Sequence, residues 1–179
     1  LSAQQAAERR TTVDLLGLTR EVVGLFALKA RAAKLEIGVS GGPGDGAAAW
    51  EGYPGIYSQV LLNLLANAER YAYPDGGGQV HVRVETADGG RGYRVAVRDF
   101  GRGIPESDLA KVWDPFFTTG RAQGGTGLGL AIVRNLVTTA LGGRVGIESA
   151  PGQGTTVWLE FPKAAPDAKP GSAGKDAAT

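Results

Sequence analysis

Asn63, Asn67, Arg70 and Tyr71 fall on a segment, residues 54–72, that reads as one helix. With Gln59 they stand at i, i+4, i+8, i+11 and i+12, so they share one stripe of its surface. Two carboxamides a turn apart, then a guanidinium and a phenol, suit a ligand that carries both phosphate and metal. A carboxamide oxygen is a hard ligand for Mg²⁺, and a guanidinium pairs with phosphate oxygens. A solvated polar face has the same pattern. Asp99 shares strand parity with Tyr93, Val95 and Val97, which turns its carboxylate toward the core. A carboxylate there needs a partner. Gly101 and Gly103 follow at once and let another group approach the backbone closely. An acceptor on such a dry floor reads an exocyclic amino group; a turn-capping Asp fits the same position. Thr155 has the parity of Val157, Leu159 and Phe161, so its hydroxyl also faces inward. It either joins Asp99 in one polar site or bonds to backbone nearby.

Gly124-Gly-Thr-Gly-Leu-Gly-Leu opens a further helix. Free N–H groups at a helix start, with glycines allowing close approach, favour a phosphate. Close helix packing or a flexible loop explains the same glycines. The run is neither a Walker A loop nor, by register, a Rossmann fingerprint. Trp113-Asp-Pro-Phe-Phe-Thr-Thr precedes it, and these aromatics can anchor one end of a short mobile segment, Thr118 to Gln123. His81, on the polar side of a strand, reads as a surface histidine.

The elements that position these residues follow from periodicity. Residues 11–34 are predicted to form an amphipathic helix, with Leu15, Leu18, Val22, Phe26 and Ala30 on one face. Residues 1–10 read as the end of a preceding helix. Leu35, Ile37 and Val39 alternate as a strand, and 40–49 form a Gly-rich loop. Pro54 opens the next helix, whose apolar face is Ile56, Val60, Leu61, Leu64 and Leu65. Two alternating strands, near 80–85 and 93–98, flank Asp88-Gly-Gly-Arg-Gly as a hairpin. A helix from about Gly127 ends at Gly142-Gly143, and strands at 144–149 and 155–161 pair around Pro151-Gly-Gln-Gly. Residues 162–179 contain no Val, Ile, Leu or aromatic residue, which predicts a disordered tail. The sum is an α+β two-layer sandwich: a mixed, mostly antiparallel sheet covered on one face by about three helices.

Composition narrows the function classes. The chain has 179 residues, 42% hydrophobic and 21% charged, which is ordinary for one globular domain. It has no cysteine and one histidine, excluding disulfides and Cys/His zinc sites. A net charge of +1 gives no reason to expect nucleic acid as a partner. No apolar run is long enough to span a membrane as a helix. Methionine is absent even from the start, so the chain reads as a piece of a longer protein.

Taken together, residues 12–161 resemble the catalytic and ATP-binding domain of bacterial two-component sensor histidine kinases. That family shares a superfamily with gyrase, heat-shock chaperone and mismatch-repair ATPases. Asn63-Leu-Leu-Ala-Asn-Ala-Glu-Arg-Tyr looks like the N box, and Asp99-Phe-Gly-Arg-Gly-Ile104 like the first glycine box. Trp113-Asp-Pro-Phe-Phe117 looks like the F box. Gly125-Thr126-Gly127-Leu128-Gly129 looks like the second glycine box, and Gly152-Gln-Gly-Thr155 like a third. The order of these boxes makes the likeness specific. It implies that Asn67 holds Mg²⁺ bridging the phosphates of ATP, with Asn63 beside it, and that Arg70 touches phosphate. It implies that Tyr71 packs near adenine and that Asp99 accepts the adenine amino group, with Thr155 completing the contact through water. Gly101 and Gly103 keep the pocket floor thin, and Gly125, Gly127 and Gly129 let a short lid close over the phosphates.

The implied activity is transfer of the γ-phosphoryl to a histidine on a helical dimerisation domain, leaving ADP, and from there to a response-regulator receiver domain. The implied location is cytoplasmic, in a parent that other segments can anchor to a membrane. That histidine is not in this chain, so the chain is expected to bind ATP as a monomer without phosphorylating itself. ATPases of the superfamily carry a general-base Glu where Asn63 stands, which argues against hydrolysis. A serine kinase of the anti-sigma type and a non-catalytic nucleotide-binding or docking module are the rival readings. Glu69, acidic beside the expected phosphate site, and Asp114, in place of the commoner Glu, depart from the family pattern.

Overall fold

The computed structural model describes residues 8–41, 48–118, 125 and 127–168. Chain order is β1 (Thr11–Asp14), α1 (Leu15–Leu25), α2 (Ala27–Ala32), β2 (Leu35–Gly41), β3 (Ala49–Gly52) and α3 (Pro54–Asn67). Then come β4 (Gly78–Ala87), β5 (Gly92–Asp99), α4 (Glu106–Leu109), α5 (Gly129–Leu136), β6 (Arg144–Ser149) and β7 (Thr155–Pro162). The alternation of valines in β4 and β5 sends one set of side chains to each sheet face. On the inner face Val80, Val82, Val95 and Leu159 are fully buried. They meet the apolar stripes of α1, α3 and α5, including Leu15, Val22, Leu61, Leu65 and Val133. The sheet order is β2-β4-β5-β7-β6, with β2 and β4 parallel and the other neighbours antiparallel. This is the expected two-layer α+β sandwich.

Two of the helices, α3 and α5, end in a wider turn than an α-helix allows. Residues Ala68–Ala72 continue α3 as a π turn, and Val137–Leu141 do the same for α5. Such turns change which way the following side chains point and occur often at functional sites.

The single helix expected over 11–34 is replaced by a strand and two helices. Thr11, Thr12 and Val13 are β-branched and favour extended backbone. They pair antiparallel with β3, in the register Thr11↔Gly52 to Asp14↔Ala49. The Gly-rich loop expected over 40–49 is shorter at both ends: β2 runs to Gly41, and Ala49 already belongs to β3. Residues 42–47 lie outside the described set. β3 carries Trp50, fully buried and 5.4 Å, centroid to centroid, from Phe161. Of the helix expected over 1–10, only residues 8–10 are described, and they are not helical. Glu8 instead accepts from the backbone N–H groups of Gly55 (2.5 Å) and Ile56 (3.2 Å). Its charge thus sits at the start of α3, where orphan donors and the helix dipole favour an anion.

The tail expected from 162 onward is also corrected in part. Pro162 still belongs to β7. Residues 163–168 lie along the free edge of β3, where Glu51 N–H donates to Lys163 O (2.8 Å) and Ala165 N–H to Glu51 O (2.7 Å). The Tyr53 hydroxyl donates to Pro166 O (2.8 Å), Arg10 Nη1 donates to Ala165 O (2.7 Å), and Ala165 is buried. An inventory of apolar side chains misses this, because backbone groups do the binding. Residues 169–179 lie outside the described set. Truncation after Pro162 removes these bonds at roughly 0.5–1.5 kcal/mol each. A loss of about 2–4 kcal/mol lowers Tm by roughly 5–15 °C in a chain this size. Calorimetric melting of the truncated and full chains measures it, and equal Tm values would show the segment to be a bystander.

Candidate functional site

Strand β5 ends at Asp99 and strand β7 begins at Thr155, and the two residues are register partners. Pairing therefore delivers a carboxylate and a hydroxyl to one end of the inner sheet face. Asp99 is 8% exposed. Its Oδ1 accepts from the N–H of Gly101 (3.0 Å) and of Thr155 (3.2 Å). Its Oδ2 accepts nothing among the described residues. Burial raises the Asp99 pKa above the usual carboxylate range, and the two backbone bonds offset part of that rise. Gly101 permits the turn: a Cβ there would stand 2.0 Å from the carbonyl oxygen of Ala72. That oxygen, at the end of the π turn, accepts from Arg102 N–H (2.9 Å). The end of α3 and the first glycine segment are thus clasped together.

A cavity of about 350 Å³ opens in front of Asp99. Ten expected site residues line it: Asn67, Arg70, Tyr71, Asp99, Gly103, Ile104, Phe117, Gly127, Gly129 and Thr155. Asn63, Gly101, Gly125 and Leu128 do not, and Thr126 is outside the described residues. Asn63 lies a turn before Asn67 and is half-buried. Gly101 acts from behind the wall through its bond to Asp99. Tyr71 donates to or accepts from the Thr118 hydroxyl (2.7 Å). Phe116 N–H donates to Gly127 O (2.9 Å), which joins the aromatic segment to the glycine segment. Gly127 is required there, with φ at 74° and a Cβ position 2.3 Å from the Phe116 carbonyl carbon. The segment expected as a lid falls mostly on 119–124, outside the described residues.

Sequence reasoning missed the cavity's apolar walls, Val97, Ile147 and Val157, and one polar residue behind it, Ser149. The strand parity of Asp99 and Thr155 held the signal for the walls. Pairing across Pro151-Gly-Gln-Gly puts Ser149 opposite Thr155.

The two ends of the cavity differ in chemistry. At the sheet end, valine and isoleucine side chains flank an open carboxylate oxygen. This suits a flat heterocycle that bears an amino group. At the helix end stand the carboxamide of Asn67 and the guanidinium of Arg70. The Asn67 oxygen lies 3.1 Å from where a Cβ on Gly129 would sit, so it lies against the start of α5. Arg70 has no ion-pair partner among the described residues. An amide oxygen, a free cation and a helix start are together fit for polyphosphate with Mg²⁺. No group of three or more His, Cys, Asp or Glu that could bind a metal occurs among the described residues.

This architecture agrees with the comparisons. Residues 53–165 match the family model of histidine kinase-, DNA gyrase B- and HSP90-like ATPases. The chain belongs to that family. Within it, the likeness is to the catalytic domains of sensor histidine kinases. The chain is 40% identical over 169 residues to the sensor histidine kinase AruS of Pseudomonas aeruginosa, covering 88% of this chain but 16% of AruS. The solved catalytic domain of histidine kinase ThkA superposes with a TM-score of 0.74 at 31% identity, over 87% of this chain and 97% of that one. ThkA in complex with the response regulator protein TrrA gives 0.71 at 28% identity, over 87% and 42%. Full-length ShkA in complex with AMPPNP gives 0.74 at 32% identity, over 93% and 34%. The chain thus spans a small part of the curated relative it matches.

The raised pKa of Asp99 gives two opposite pH dependences. Ionising a buried carboxyl costs the native state. Its stabilising contribution is present below the usual carboxylate pKa and is lost as pH rises through the raised one. Accepting an amino group requires the carboxylate, so nucleotide affinity falls as pH drops through the same window, which lies above the usual carboxylate range. Asp99→Asn is expected to weaken adenine-nucleotide binding about 10–100-fold, the worth of one charge-assisted hydrogen bond, and to flatten both dependences. Calorimetric titration across that window reads the affinity. An affinity equally pH-dependent in both proteins would remove Asp99 from the site.

Proposed function

We propose that this chain binds Mg²⁺–ATP and serves as the catalytic domain of a sensor histidine kinase that acts in a two-component pathway. The observation that carries this reading is the open Oδ2 of Asp99 at the closed, apolar end of a cavity whose other end holds Asn67 and Arg70. Adenine fits the first end and polyphosphate the second. Asp99 accepts from the base amino group, Thr155 adds a second polar contact, and Tyr71 packs beside the base. Asn67 offers its oxygen to the metal, and Arg70 neutralises phosphate charge. Mg²⁺, when bound, spreads the charge that builds up on the transferring phosphoryl group. The protein's share is placement and neutralisation. Asn63 lacks the basicity to activate water, which favours transfer over hydrolysis.

The acceptor in this reading is a histidine of a helical dimerisation domain in the same kinase. ADP is released, and the phosphoryl passes on to a receiver domain. ATP as the phosphoryl donor places the domain in the cytoplasm.

The test supplies a histidine-bearing helical domain in trans with labelled ATP. The expected product is an acid-labile, alkali-stable phosphoramidate. Asn67→Ala is expected to lower its yield by about 100-fold or more, as loss of one placed electrostatic contact does elsewhere. An acid-stable phosphoester would favour the serine-kinase reading instead. No binding of nucleotide by the folded chain at millimolar concentration would leave only a docking module.

A further inference from the structure

Ser149 contacts two residues that line the base end, Ile104 and Thr155, without lining the cavity itself. Its Oγ accepts from Ile104 N–H (2.8 Å), donates to Gly154 O (2.9 Å) and bonds with Thr155 Oγ1 (2.8 Å). A serine hydroxyl has one proton and two lone pairs. Its proton is spent on the carbonyl of Gly154, a buried residue that needs a partner. Both lone pairs are then filled, one by Ile104 and one by Thr155. The donor in the Ser149–Thr155 bond is therefore Thr155.

We propose that Ser149 is a positioning residue that sets base selectivity by fixing the direction of the Thr155 hydroxyl. With its proton drawn back to Ser149, Thr155 turns lone pairs toward the cavity, beside the open Oδ2 of Asp99. Four nearby backbone donors are already committed. Gly101 and Thr155 N–H go to Asp99, Arg102 N–H to Ala72 and Ile104 N–H to Ser149. Around Thr155 the atoms left open to a ligand are thus acceptors, Asp99 Oδ2 and the Thr155 hydroxyl oxygen. A 6-amino purine brings N–H donors to this place. A 6-oxo purine brings a carbonyl oxygen, and acceptor meets acceptor. A site whose buried polar groups are left unmatched rejects a ligand strongly.

This inference rests on the nucleotide reading above and sharpens it to one atom of the base. The test measures Mg²⁺–ADP and Mg²⁺–IDP affinities, two ligands that differ only at the 6-position and its ring proton. Wild type is expected to prefer ADP. Ser149→Ala frees the Thr155 proton to turn into the cavity and serve the 6-oxo group. The ADP preference is then expected to narrow by about tenfold, the worth of one hydrogen bond. Ser149→Thr, which keeps the hydroxyl, is expected to restore the preference.

A structural role alone would weaken both ligands alike and leave their ratio unmoved, and that result overturns the proposal. Should Ser149→Ala fail to fold, Thr155→Val decides. It deletes the second acceptor and must also narrow the preference, so an unchanged ratio there overturns the proposal as well. A wild type that binds neither ligand would fail at the nucleotide reading itself, a result separable from any change in ratio.

Discussion

The carboxylate of Asp99 is the one buried charged group among the described residues, and much of the local architecture answers the cost of burying it. An ionised group so nearly removed from water survives only if donors meet it. Two backbone N–H groups do so, from Gly101 and from Thr155. The Thr155 bond requires β5 and β7 to pair in one register, since a slip of one residue would exchange their faces. The Gly101 bond requires a tight turn after β5, and that turn has room only because Gly101 has no side chain against Ala72 O. Ala72 is in turn placed by the π turn that finishes α3. One carboxylate thus ties a strand register, a glycine and a helix end to each other. The second oxygen stays open, and the cavity forms around it.

Helix α3 serves the other end of that cavity and the core at once. Its buried face, Ile56, Val60, Leu61 and Leu64, anchors it on the sheet. The face beside it carries Asn67 toward the start of α5. Packing that holds the helix therefore holds the amide as well. Glu8 strengthens the arrangement from the far end by satisfying the first donors of α3. The sheet end of the cavity is fixed by strand pairing and the helix end by helix packing.

Strand parity placed Asp99 and Thr155 on one face, and helix periodicity placed Asn67, Arg70 and Tyr71 on another. Both periods are local properties, so they can be read along the chain. Ser149 could not be read that way. Its role depends on three partners 5, 6 and 45 positions away. The β1–β3 pair and the segment at 163–168 escaped for a related reason. They are held largely by backbone hydrogen bonds at a sheet edge, and backbone groups leave no side-chain pattern. Spacing by whole turns put Asn63 on the same stripe as Asn67; Asn67 lines the cavity and Asn63 does not.

Glu69 shows most clearly how a single turn of backbone redirects chemistry. By sequence it adjoins Arg70 and lies two residues past Asn67, so its charge appears set against phosphate. In the structure it falls inside the π turn, where each turn takes more residues than in an α-helix. Glu69 faces a separate hollow with Lys29, Tyr73 and Gly77, and it is absent from the cavity that holds Asp99. Arg70 borders both. Successive side chains on a helix diverge by roughly 100°, so the two neighbouring charges part: Arg70 reaches the cavity that holds Asp99, and Glu69 turns away from it.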